Sequence, residues 1–300
     1  MMNSYFKAMR LPFLAGSMVP AAVAGAYAWL RNEFELVSFL LAAFGVACLH
    51  VASNLINDWS DAPGTDRVNL RVTPFSGGSR VIQEGGVSRP TVLSMALAFF
   101  GIALLIGILL AAWRAPGVLW VGVLGLLAGC LYSIRPLELM SRSLGEITIF
   151  FAFGPLITLG MYYVMAGRLY WPAFWIGLPN AFLITAVIWI NEFPDLEADQ
   201  DTGKRNLVVV LGLQRSRTVY AALMQLPYPS LMALALAGVY SPGLLLGLLA
   251  FPLSLRAVQL VFAMDEDRRG IVHIQALTLQ TLLVLGLAMV AGLILHGLLF

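Results

Sequence analysis

Nine apolar runs leave this chain few folds to choose from. They fall at 11–30, 36–56, 92–113, 117–134, 147–166, 172–190, 219–239, 242–264 and 271–299. About twenty such residues cross the hydrocarbon core of a bilayer as a helix. In that medium every backbone amide needs an internal partner, so a helix is the form open to a run of this length. Only 11% of the 300 residues are charged, against roughly 25% in soluble domains. The expected fold is all-α: a polytopic membrane protein in which residues 1–300 form a single transmembrane domain. Pro227, Pro229 and Pro252 lie inside runs, where neighbouring helices tolerate a kink. Lys7 and Arg10 precede the first run as in a secretion signal, but the run has the length of a full span. Cys48 and Cys130 both lie in apolar runs and support neither a disulfide framework nor a thiolate metal site.

Charge placement orients the chain. Fourteen basic residues, among them Lys7, Arg10, Arg67, Arg71, Arg80, Arg135, Lys204 and Arg205, fall on the N-terminal segment and on alternate connections. Arg31, Arg114 and Arg168 are the three on the opposite side. This bias puts the N-terminus and the charged loops on the cytoplasmic side of a membrane, expected to be a prokaryotic cytoplasmic membrane. Nucleic acid is not an expected partner. Lipid-facing and partner-facing apolar surfaces read alike, so the sequence carries no signal for oligomeric state.

Two long connections face the cytoplasm, at about 57–91 and 191–218. "NEFPDLEADQDTGKRN", residues 191–206, gathers Glu192, Asp195, Glu197, Asp199 and Asp201, although the nineteen preceding residues hold no acid. "NLINDWSDAPGTD", residues 54–66, is its counterpart. Residues four apart share a helix face. Asn57 and Asp61 therefore point together, as do Asn191, Asp195 and Asp199, with Asn54 and Asp58 on the first stripe. Glu197 and Asp201 face away if the helix continues. His50, one turn further into the membrane, reads as an interhelical hydrogen-bond donor.

Amide and carboxylate oxygens without a Cys or His cluster suit a hard cation, Mg²⁺ before Zn²⁺. Mg²⁺ binds through one or two carboxylates plus phosphate oxygens, so the pattern suits an anionic phosphate substrate. Arg71, Arg80, Lys204 and Arg205 are candidates for its remaining oxygens. Gly77 and Gly78 form either a plain turn or a backbone cradle for a phosphate. Ser143 and Glu146 have the spacing of a capping box for the fifth helix.

At these residues the sequence resembles the UbiA superfamily of intramembrane prenyltransferases. The matching motifs are Asn57, Asp58 and Asp61 after the second helix, and Asp195 and Asp199 after the sixth. Within the superfamily it is most similar to the 1,4-dihydroxy-2-naphthoate polyprenyltransferases of menaquinone biosynthesis. "SRVIQEGGVS", "SRSLGEITIFFAFGPLITLGMYYVMAG" and "NEFPDLEADQDTGKRNLVVVLG" carry that likeness. The resemblance implies nine helices around a central cavity with a polar cytoplasmic cap. It implies two Mg²⁺ ions held by Asp58, Asp61, Asp195 and Asp199 against the diphosphate of a polyprenyl donor. Asp61, Asp195, Asp199 and Arg80 form the expected catalytic set. Asn54, Asn57, Arg71, Tyr132, Arg135, Asn191, Lys204 and Arg205 are the expected substrate-binding set, and an aromatic ring is the expected acceptor. Three departures stand out. Thr65 occupies the place of a third acid, with Asp66 following it. Arg135 comes three positions after Tyr132, where many relatives have Lys at four. Asn191-Glu192-Phe193-Pro194 replaces the pattern N-N-x-R.

Three other readings compete with a prenyltransferase. A terpene cyclase would ionise the same donor with the same motifs. A divalent-cation transporter would place its acids near the bilayer midplane, and here they sit at the ends of the runs. A lipid-binding scaffold would leave the duplicated N-x-x-x-D pattern without a purpose.

Overall fold

The computed structural model describes residues 2–300. Among them nine helical segments are apolar enough to run through a bilayer, all but the fourth at least 18 residues long. They are α1 (Asn3–Leu30), α2 (Leu36–Asp61), α3 (Arg89–Trp113), α4 (Val118–Ser133), α5 (Gly145–Ala166), α6 (Pro172–Asp201), α7 (Leu207–Leu236), α8 (Pro242–Ala263) and α9 (Ile271–Leu299). The chain is an integral membrane protein, and no strand forms among the described residues.

Two groups of helices share α1 and α6. α2 lies along α3 and against α4 and α5, while α9 lies against α8, α1 and α6. The larger apolar core joins α1 to α5–α9; the smaller lies between α2, α3 and the loop that follows α2. Close approach of α8 and α9 depends on missing side chains. A Cβ on Gly292 would come within 1.9 Å of the Gly243 carbonyl oxygen, and one on Gly243 within 2.1 Å of the Gly292 oxygen. Small residues at such crossings let dispersion replace the hydrophobic drive that lipid cannot supply. In α5 a π turn at Ala152–Leu156 surrounds Pro155, which lacks an amide hydrogen for the α pattern.

Several boundaries differ from the sequence reading. α7 begins at Leu207, not 219, because the Asn206 side chain caps it by accepting from the Val209 amide. Gly212, at φ 73° and ψ 165°, kinks the segment, and the polar stretch Gln214–Arg217 lies in the helix that continues beyond it, with Ser216 and Arg217 buried. α6 runs unbroken past Pro194 to Asp201. The expected long connection over 191–218 is thus helix on both sides of a short link, 202–206. The connection after α2 is truly long. Its short helix Thr65–Val68 and the turn at Thr73–Ser76 fold over the α2 and α6 ends.

Candidate active site

The last turns of α2 and α6 meet under the 62–88 loop. Lys204 joins them, its Nζ lying 3.0 Å from Asp61 Oδ1 and 3.8 Å from Asp199 Oδ1. Asn57 Nδ2 donates to Asp61 Oδ2 at 3.1 Å, the contact that four-residue spacing on a helix permits. Asn206 Nδ2 donates to Asp199 at 2.8 Å, and Asn69 Nδ2 to Asp195 at 2.8 Å. Asp58 accepts from the Ser79 amide at 3.1 Å and lies 3.6 Å from Arg10. Thr65 and Thr202 pair through their hydroxyls at 3.1 Å, tying the two links together.

Asp66 joins this group and is buried. Burial, reinforced by repulsion from Asp61 and Asp58, pushes its carboxyl up to about 8. Burial works against the Lys204 ammonium, but Asp61 and Asp199 outweigh it and hold its pKa above the ordinary value. Five carboxyl groups face the two cations Lys204 and Arg10 in a largely desolvated place, and even with Asp66 protonated the acids outnumber the cations. Among the described residues no three carboxylates or imidazoles converge on one point. Lys204 and the amide donors stand between them, so each carboxylate keeps a partner.

Below the cluster lies a cavity of about 320 Å³. Asn54, Asn57, Asn191 and Tyr132 line its head, and Leu110, Met161 and Val164 lie among the apolar residues beyond. Leu104 and Val123 line it while remaining 46% and 39% exposed, so it opens sideways between α3 and α4. At the other end of the bundle Arg31 donates to Tyr162, and Glu33 takes Tyr162 and Arg168.

A polar cap over a lipid-facing apolar cavity is the arrangement that the resemblance to the UbiA superfamily implied. The UbiA prenyltransferase family matches residues 17–281. The chain belongs to that family. It is a membrane prenyltransferase, and the transporter and scaffold readings fall. A 1,4-dihydroxy-2-naphthoate octaprenyltransferase of Mycobacterium tuberculosis is 31% identical, over 78% of this chain and 77% of that protein. Its Bacillus subtilis namesake is 26% identical over 94% of this chain and 89% of its own length. A UbiA homolog from Aeropyrum pernix has the same fold, with TM-score 0.69 at 16% identity over 93% of this chain and 98% of that one. One from Archaeoglobus fulgidus, bound to GPP and Mg²⁺, gives 0.64 at 15% identity over 96% and 99%.

In this UbiA-family chain several expected residues stand apart from the cluster. Arg135 has a side chain 87% exposed and pairs with Glu138 at 3.5 Å. Arg205 is exposed and meets Ser141 and Ser143 through its backbone only. Arg71 reaches the Asp267 carbonyl at 3.4 Å on the surface. Arg80 donates to the backbone carbonyl of Asp66, bracing the loop from its rim. The Gly77 amide is 3.3 Å from Asp195 Oδ2, so it serves a carboxylate of the protein. Glu197 pairs with Arg268 and Asp201 is exposed, both turned from the site.

The capping box does not form. Ser143, at φ 58°, donates to the Arg205 carbonyl, and no side chain caps the start of α5. Glu146 instead accepts from the Leu207 amide at 2.6 Å, capping α7 from a neighbouring helix. Glu146 and Glu192 each keep one buried carboxyl oxygen without a partner. Asn69, Asn206 and Arg10 also escaped the sequence reading. Asn206 carried a signal, an N-cap residue directly before an apolar run; the others acquire their roles only through tertiary contact.

Proposed function

We propose that the chain transfers a polyprenyl group from a polyprenyl diphosphate to a hydroxylated aromatic ring, with 1,4-dihydroxy-2-naphthoate as acceptor, in quinone biosynthesis. One observation carries the reading: two acid-bearing helix ends face each other over the head of an apolar cavity that opens to lipid. The names of the Mycobacterium tuberculosis and Bacillus subtilis relatives support the acceptor. The GPP and Mg²⁺ bound by the Archaeoglobus fulgidus homolog support the donor class and the metal. We read residues 1–300 as one catalytic domain in a prokaryotic cytoplasmic membrane, with its cap on the cytoplasmic side; the bias of basic residues supports that orientation.

The donor set fits Mg²⁺, since the cluster offers oxygen ligands and an unbalanced negative charge. Asp58, Asp61, Asp195 and Asp199 would hold two ions, with Asp66 beside them. Bound there, Mg²⁺ supplies Lewis acidity and neutralises a departing diphosphate. The residues of the chain do the rest. Lys204 and Arg10 attract the anionic leaving group, and their charge is worth more in a desolvated site than in water. Asn54, Asn57 and Asn191 donate hydrogen bonds at the cavity head, and Tyr132 orients what lies beneath them. The apolar walls keep water from the allylic cation until the ring attacks.

The test is product formation by purified protein in detergent, given geranylgeranyl diphosphate, Mg²⁺ and 1,4-dihydroxy-2-naphthoate. Wild type should yield a prenylated naphthol by mass spectrometry. Asp195→Asn and EDTA should each reduce it at least about 100-fold. Diphosphate release with only a hydrocarbon product would identify a cyclase instead.

A further inference from the structure

We propose that His50 is the catalytic base of this site: its Nε2 takes the hydroxyl proton of the aromatic acceptor as the ring attacks the allylic donor. The inference rests on the prenyl-transfer reading above. Arg10, His50 and Tyr132 are the ionisable side chains among the described residues that line the cavity. Arginine stays protonated and a phenol ordinarily ionises near pH 10, which leaves the imidazole as the base.

Ser17 Oγ lies 3.1 Å from the Leu14 carbonyl and 2.9 Å from His50 Nδ1, and its one proton can go to either. With that proton on the Leu14 carbonyl, Ser17 accepts from Nδ1–H and the imidazole lone pair is on Nε2, the tautomer the proposal requires. Nε2 has no hydrogen-bond partner among the described residues. Phe153 holds the ring edge-on, 4.8 Å between centroids, so the imidazole is clamped from α1 and α5. Among the described residues Arg10 on α1 is the charged group that faces it, and no carboxylate touches it.

The position suits the chemistry. His50 lies one helical turn below Asn54, where the polar head of the cavity gives way to apolar wall. The reacting carbon of the donor is one bond from diphosphate oxygen, so it lies at that boundary. A ring carbon must approach within about 3–3.5 Å of it, which brings the ring hydroxyl to the same level.

The allylic C–O bond breaks with its electron pair on the diphosphate. A ring carbon conjugated with the hydroxyl gives a pair to the allylic carbon and forms the C–C bond. The O–H bond breaks, its pair completes a ring C=O, and its proton sits on Nε2. The attacked carbon then loses its proton to the released diphosphate, the aromatic ring re-forms, and the imidazolium returns its proton to the oxygen.

His50→Asn tests this, because the amide nitrogen replaces Nδ1 and keeps the Ser17 bond while Nε2 is lost. Wild type and variant are compared on geranylgeranyl diphosphate and 1,4-dihydroxy-2-naphthoate from about pH 6 to about pH 9.5. Near neutrality kcat should fall about 100- to 1,000-fold with the donor KM within about twofold. The loss should shrink to about tenfold at the alkaline end, as solvent ionises the acceptor. A loss of equal size at every pH, or none, overturns the base assignment while the wild-type product upholds the transferase. If wild type makes no product from any hydroxyarene, the transferase reading and the base fall together. Should His50→Asn not fold, Ser17→Ala decides, since it frees the tautomer and leaves the ring. A fall of about tenfold that alkali repairs supports the base; an unchanged rate and profile refutes it.

Discussion

Lys204 occupies the decisive position in the cap, being the cation that both acid motifs share. Lys204→Gln keeps a hydrogen-bond donor but leaves Asp61 and Asp199 facing each other without a charge between them. The expected outcome is a rise in donor KM and a fall in kcat of about 100-fold, read from initial rates against donor concentration. Arg135→Gln makes the opposite case: with its side chain in solvent beside Glu138, initial rates should stay within about twofold. The sequence made the acids legible because four-residue spacing on a helix fixes direction. It could not do the same for Arg71, Arg135 and Arg205. These lie beyond helix ends, where chain distance says nothing about where a long side chain points. His50 shows a further limit, since its spacing suggested an interhelical hydrogen bond but not the free nitrogen beyond it.

The elements were legible as apolar runs, and their ends were not. Gln214–Arg217 lowers the local hydropathy and Gly212 kinks the chain before it, which together hide the first half of α7, although Asn206 and Glu146 cap its start from two sides. Pro194 argues for a break that the close packing of α6 overrides. The link 202–206 is short for a reason: the Asn206 carbonyl side-chain oxygen caps α7 while its amide holds Asp199, so one residue both starts a helix and aims a carboxylate. Asn206→Ala should therefore have two effects. Loss of the cap should cost about 1 kcal/mol of stability, measured by denaturation in detergent. Asp199, no longer held, should require a higher Mg²⁺ concentration for half-maximal rate, and Asn206→Asp should restore the cap without restoring the Asp199 bond.

At the scale of the whole molecule, charge and apolar surface are segregated along one axis, and that separation lets one cavity hold two unlike ends of a substrate. The cap concentrates ionic groups and the walls below it are apolar; on the proposed function, the gap between α3 and α4 is where a tail would pass into lipid. A cavity of about 320 Å³ need not contain a whole polyprenyl chain if the tail leaves by that side. Gly107 and Gly122 line this region, and a Cβ on either would meet nothing within 4 Å. Gly122→Leu should therefore fold normally and fill the passage without touching the cap. A donor of two isoprene units would still fit above the new side chain, whereas a longer one would have to cross it. The expected result is kcat/KM for a long polyprenyl diphosphate falling at least about tenfold relative to geranyl diphosphate, the loss a clash of a methylene or two imposes. Competing the two donors in one reaction and reading the product ratio by mass spectrometry gives the answer directly. An unchanged ratio would mean that the tail does not leave between α3 and α4.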